Sequence, residues 1–337
     1  MEVATLEERI SNGNRSTYDN RRTVQRMMGL KMFCVFPHQE KERPFVNAMR
    51  NHGWAEVDKY HCTILLVDVD SPDRMKQFED RGRRKKLTTF TYPHAARPNL
   101  FWDGLLPPWE HTSGTFVFAK GHKEVMELYG YPHDIHVCGW AYSKLHSFRR
   151  KSEPKKILFA PIHPNQSTFL SAEDKKINHD TFEKLVKFTK THGYHLTVRY
   201  IEKLEQNGIY EVEGVEYTHG DKRIGTQEKQ MIEHDLVVAH QTFAWISIAL
   251  GVPTVLMGED TCPKIGKNEE VIQRVSTWNT YKHLIKFPLD ILDGDAQTII
   301  KKAITSELPE VIEWKANMIG NPFDEHVIVS AINEAME

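Results

Sequence analysis

His240, Gln241 and Thr242 stand between a short apolar run, Leu236 to Val238, and a helical apolar pattern made by Phe243, Ile246, Ile248, Ala249 and Leu250. The spacing places them at the start of a helix, on the carboxyl side of a strand. Backbone N–H groups are unpaired there and the helix dipole is positive, so the turn can hold an anion such as a nucleotide diphosphate. The same turn in an idle βαβ unit binds nothing, and the residues alone leave both readings open. Two histidines occupy comparable turns, His38 after Met32–Phe36 and His94 after Leu87–Tyr92. An imidazole titrates near neutral pH, which suits a general base, and Asp103 is near enough in sequence to orient one. Asp68 and Asp70 form a DxD pair, read as a turn and helix cap rather than a metal site, and no metal is expected.

These residues need a scaffold of buried strands. From Asp235 to Asp260 the chain reads strand, polar turn, helix closed by Gly251 and Pro253, then a second strand over Thr254–Met257. The continuous apolar runs suit parallel strands covered on both faces. Residues 1–28 form a polar arm. A first Rossmann-like domain spans 29–146, with strands at Met32–Phe36, Cys62–Val69, Leu87–Tyr92, Thr115–Ala119 and Ile135–Cys138. A charged linker covers 147–156. A second Rossmann-like domain covers 157–322, opening with the strand at Ile157 and a helix at about Asn178–His192, followed by strands at Leu196–Tyr200 and Val212–Tyr217. Residues 323–337 are expected to form a helix that packs back on the first domain.

The 337 residues are long enough for two domains, and 40% hydrophobic content suffices for two cores. No apolar run approaches the ~20 residues of a membrane span, and the N-terminal stretch lacks the apolar core of a signal peptide, so a cytoplasmic location is expected. Four scattered cysteines predict buried thiols rather than a disulfide framework. Residues 1–150 carry 23 Lys and Arg against 18 Asp and Glu, while the remainder carries 21 against 28. The densest basic run, Arg81 to Lys86, contains Arg83 and Arg84. It reads as a solvated loop or as a surface for the phosphates of DNA, lipid headgroups or an anionic polymer.

The segments Asp235–Val238, His240–Thr242, Ala249–Pro253 and Thr254–Met257 together resemble the sugar-nucleotide-binding unit of glycosyltransferases with two Rossmann-like domains, the GT-B architecture, and of the related UDP-GlcNAc 2-epimerases. The strand and loop KKILFAPIHPN, ending at Asn165, resemble those of CDP-glycerol glycerophosphotransferase-like enzymes. Weaker echoes run from Ala119 to Trp140. The chain departs from the pattern at His240 and Gln241, where relatives often carry Gly or Ser, and at Tyr92-Pro93-His94, where that group has a Trp-His-Gly turn.

The resemblance implies an α/β fold with a donor site in the cleft between two Rossmann-like domains. It implies a transferase that moves a sugar from a nucleoside-diphosphate sugar, UDP-linked by expectation, to an acceptor hydroxyl. The nucleotide sugar is a co-substrate and no cofactor is expected. His94 is the first candidate for the base, with His38 competing. Arg97, Arg83 and Arg84 would face an anionic acceptor, either a glycan or a modified base in DNA. His163 and Asn165 would flank the phosphates opposite Gln241 and Thr242. Gly225 and Thr226 fall in the loop where relatives hold the nucleobase, and Glu259 and Asp260 suit the ribose or sugar hydroxyls. An epimerase, a polyol-phosphate transferase and a non-catalytic nucleotide- or DNA-binding protein are the alternatives.

Overall fold

The computed structural model describes residues 31–36, 43–57, 62–67, 87–92, 112–128, 131–142, 144–145, 155–163, 170–221, 224–256 and 315–337. Two parallel sheets organise them. The first has six strands in the order β2-β1-β3-β4-β5-β6, formed by β1 (Met32–Phe36), β2 (Ala55–Glu56), β3 (Ile64–Val67), β4 (Thr88–Thr91), β5 (Gly114–Val117) and β6 (Asp134–Val137). All four residues of β3 and of β5 are buried, as expected of strands covered on both faces. Between the two strands the buried Thr91 Oγ1 donates to the buried Thr115 Oγ1 at 2.6 Å. Helix α1 (Arg43–Asn51) buries Phe45, Val46, Ala48 and Met49 at helical spacing, and carries Pro44 in its first turn, where a missing N–H costs nothing. Helix α2 (Lys120–Leu128) joins β5 to β6.

The second sheet has the order β11-β10-β7-β8-β9, from β7 (Lys156–Ala160), β8 (His195–Tyr200), β9 (Glu216–His219), β10 (Leu236–Ala239) and β11 (Thr254–Leu256). Its helices are α3 (Ala172–His192), α4 (Ile224–Ile232) and α5 (Gln241–Ala249). Helix α3 begins six residues before the expected Asn178. The Ser171 hydroxyl accepts the Asp174 N–H at 3.0 Å, and this polar first turn shows no apolar period. At the other end Gly193 adopts φ 70° and closes the helix. The strand expected over Val212–Tyr217 instead occupies Glu216–His219. The Val215 N–H turns back to the Val212 carbonyl, and the Val212 N–H is taken by the Tyr217 hydroxyl, so 212–215 is committed to a turn.

The chain then returns to the first sheet. The Trp140 N–H donates to the Asn321 carbonyl, and the Asp324 N–H to the Cys138 carbonyl, both at 2.8 Å. Gly139, at φ 79°, sits where any Cβ would collide with the Pro322 carbonyl. Helix α6 (Glu325–Glu334) is capped by the Asp324 carboxylate and lies against α1 and β6. Phe323 meets Phe45 edge to face at 5.4 Å, Asn51 donates to Glu325 at 3.0 Å, and Lys31 donates to Asn333 at 2.7 Å. Cys34, Cys62 and Cys138 are buried thiols; Cys262 lies outside the described residues. Among the described residues no helix is long and apolar enough to cross a membrane.

Candidate functional site

The strand order of the second sheet reverses direction at β7 and β10, which pair in parallel with Ala160 opposite Ala239. Beyond that point the connections run to opposite faces, leaving a crevice at the carboxyl ends of the two strands. Two turns border it, one leading to His163 and the other to His240.

The β7 turn is fixed from behind. Asn178, fully buried on α3, accepts the Ile162 N–H at 2.8 Å, donates to the Ile162 carbonyl at 2.9 Å, and donates to the Asn207 carbonyl at 3.0 Å. An amide that satisfies both backbone groups of one residue holds that residue in a single orientation. His163, immediately after it, is exposed. The start of β7 is secured equally tightly, since the buried Asp235 carboxylate accepts the Lys155 and Lys156 N–H groups at 2.8 and 2.9 Å.

On the other side, His240 occupies the N-cap position of α5 in an extended conformation, and its side chain makes no capping hydrogen bond. The first-turn N–H groups have no acceptor within the helix itself, as at any helix start. From Ala244 to Leu250 the helix is buried on every side, so its position relative to the sheet is set by packing. The Thr254 hydroxyl donates to Ser247 Oγ at 2.8 Å, tying the helix to β11.

A buried arginine lies close behind the first turn of α5. Arg199, on β8, is 4% exposed, and its guanidinium carbon stands 4.6 Å from the centre of the Phe243 ring. One guanidinium nitrogen donates to the Asp221 carbonyl at 2.6 Å, while Nε has no partner. Gly220 makes room for it, because a Cβ there would come within 2.6 Å of the guanidinium carbon. Burial pushes the Arg199 pKa down to about 10 against an opposing pull from Asp221. Sequence reading passed over this residue; the signal was a single cation inside the apolar strand Leu196–Tyr200.

The first sheet's side reaches the same helix through α2. His122 is completely buried, 6.0 Å from the Trp245 ring and 6.1 Å from that of Phe118, and neither ring nitrogen meets a partner in hydrogen-bonding geometry. Burial pushes its pKa down to about 3, the nearby Met318 backbone opposing. It is a neutral ring at the junction of the two sheets. On α4, half-buried Glu228 has its carboxyl pKa raised by burial, with Lys144 opposing.

His163 and His240 come together, as residues following adjacent strands. Gln241 and Thr242 are the first two residues of α5. Gly225 and Thr226 stand not in a loop but in the first turn of α4, where they are exposed. The helix begins earlier than its composition implies because its glycine falls inside the first turn. His38, His94, Asp103, Arg83, Arg84, Arg97, Asn165, Glu259 and Asp260 lie outside the described residues, as do Asp68 and Asp70. Among the described residues no three His, Cys, Asp or Glu side chains converge as metal ligands.

No protein-family model matches the sequence, and no curated protein matches it. Solved structures do. The wall teichoic acid polymerase TagF superposes with a TM-score of 0.54 at 9% identity, covering 95% of both chains. A substituted variant of the same polymerase gives 0.53 at 9% identity over 94% of this chain and 93% of that one. Another variant, soaked with CDPG, gives 0.51 at 7% identity over 95% and 94%. The chain thus has the GT-B fold, with two Rossmann-like domains, as the sequence resemblance implied.

Proposed function

We propose that the protein is a glycosyltransferase that moves a sugar from a nucleoside-diphosphate sugar, UDP-linked, to an acceptor hydroxyl. The observation that carries this reading is the N-terminus of α5, not capped by the His240 side chain, at the point where the parallel sheet reverses its order, opposite the clamped β7 turn. In the transfer, the acceptor oxygen bonds to the anomeric carbon and gives its proton to a base, while the bond from that carbon to the diphosphate oxygen breaks. The departing diphosphate gains negative charge, which the oriented N–H groups of α5 stabilise without reorganising.

The first domain would supply the base. His94 is proposed for that role, with His38 as its competitor and Asp103 orienting it. Arg97, Arg83 and Arg84 would hold the acceptor, a glycan or a hydroxymethylated pyrimidine in DNA. In the second domain, His163, Asn165, His240, Gln241 and Thr242 would surround the diphosphate. Gly225 and Thr226 would border the base, and Glu259 and Asp260 would take the ribose or sugar hydroxyls.

A second reading is favoured by the likeness to a teichoic acid polymerase over 95% of both chains. In polyol-phosphate transfer the acceptor attacks the outer phosphorus, the pyrophosphate bridge breaks, and a nucleoside monophosphate leaves. The released nucleotide separates the two. The protein is incubated with UDP-, GDP-, CDP- and TDP-sugars and with CDP-glycerol, each with and without glycan or hydroxymethylated DNA, and the nucleotides are resolved chromatographically. Acceptor-dependent release of a nucleoside diphosphate supports glycosyl transfer. A monophosphate supports the polyol reading, and no turnover of any donor overturns both.

A further inference from the structure

Arg199 presents an electrostatic imbalance. The guanidinium is buried, and among the described residues no carboxylate forms an ion pair with it. Burying a charge without a counter-charge is costly. It also packs on Phe243, the third residue of α5, next to the positive end of that helix's dipole, where a cation is disfavoured. Among the described residues its hydrogen bond goes to a neutral carbonyl, and Nε is left without a partner. The backbone accommodates this cation at Gly220, whose missing side chain is what allows the guanidinium to fit. Two independent sources of positive potential therefore converge on one place, and among the described residues no carboxylate reaches the guanidinium in ion-pair geometry; the charge of nearby Asp221 opposes them from a distance.

We propose that Arg199 is a positioning residue of the donor site, a fixed buried cation behind the first turn of α5, without an ion-pair partner among the described residues, whose positive potential favours a nucleoside diphosphate in the crevice. This rests on the reading of the α5 N-terminus as a diphosphate site. Arg199 acts through the field it adds to the helix start and through the Phe243 ring, without touching the reacting atoms. The imbalance that disfavours the empty protein becomes selectivity for a doubly charged ligand, because a nucleoside or a neutral sugar gains nothing from it.

The test is the pair Arg199→Met and Arg199→Lys in the full-length protein. Met fills similar volume without charge, so without ligand Arg199→Met should melt at the wild-type temperature or above it. Its affinity for UDP, measured by calorimetry, should fall roughly tenfold or more, while uridine binding, followed by ligand-observed NMR, should not change. Arg199→Lys should recover part of the UDP affinity. A brace for the Gly220–Asp221 turn would behave differently. In that case Arg199→Met would melt lower or fail to fold, and would weaken uridine and UDP alike; either result overturns the proposal, as does unchanged UDP affinity in a stable Arg199→Met protein. If the wild-type protein binds neither UDP nor CDP, GDP or TDP, the diphosphate reading itself is wrong, an outcome distinct from a variant that binds like wild type.

Discussion

The ring of His122 lies 6.0 Å from the ring of Trp245, so a histidine on the helix after β5 is packed directly against the helix that begins at the candidate diphosphate turn. The two sheets therefore meet through side chains that contribute to one continuous core, and not only through the chain segments that cross between them.

That contact has a pH signature. His122 takes up a proton in the unfolded chain near its ordinary value of 6.5, but in the folded protein only at about 3. Below pH 6.5 the unfolded state binds the extra proton, so stability is lost as pH falls from 6.5 toward 3, by up to about 1.4 kcal/mol per pH unit from this group. His122→Leu removes the titration. Urea unfolding at pH 7.5 and 5.5 should show the wild type losing about 1 kcal/mol more than the variant; parallel losses would assign the acid sensitivity to other groups.

Asn178 holds the turn before His163 through three hydrogen bonds. Asn178→Ala leaves the Ile162 N–H and two carbonyls without it in a buried setting, and should cost about 2–4 kcal/mol. Chemical denaturation measures the loss. The same variant should weaken nucleotide binding under conditions where it is still folded, since the turn is no longer held.

Asp235 fastens the first strand of the second sheet by accepting two backbone N–H groups. Asp235→Ala should destabilise by about 2–3 kcal/mol, as two charge-assisted, part-buried bonds are lost. Hydrogen exchange at Lys155 and Lys156 should accelerate ahead of the rest of β7.

Gly139→Ala is expected to be the most damaging single methyl addition. It asks for a left-handed backbone and drives a Cβ into the Pro322 carbonyl, at the point where the chain crosses to the first sheet. Thermal unfolding should show a drop of several degrees or loss of folded protein, whereas Gly214→Ala, also at positive φ but with open space around it, should be much milder.

Much of this fold was legible because buried parallel strands write themselves as unbroken apolar runs. Met32–Phe36 and Leu236–Val238 could be placed from residue types alone, and the helix between β10 and β11 from its apolar spacing and the Gly251–Pro253 stop. Elements whose stability comes from polar contacts were missed or misplaced. The first turn of α3 is set by the Ser171 cap, β9 is displaced by the Tyr217 hydroxyl, and Gly225 disguises the start of α4. At the candidate site, His240 and His163 could be found as residues that follow strands, a local property. Arg199 and His122 could not, because what distinguishes them is burial against Phe243 and Trp245, partners more than forty positions away in the sequence.

The most direct measurement is nucleotide binding by calorimetry in Gln241→Pro compared with Gln241→Ala. Gln241 is the first residue of α5, and the residue before it is already extended, at φ −119° and ψ 152°. Proline fits there without breaking the helix, yet it removes one backbone N–H of the first turn. If the α5 N-terminus binds the diphosphate, both variants melt alike, and Gln241→Pro binds UDP at least about fivefold more weakly than Gln241→Ala, the loss expected for one hydrogen bond to a charged group. Equal affinities in the two variants, or a wild-type protein that binds none of UDP, CDP, GDP and TDP, would contradict it.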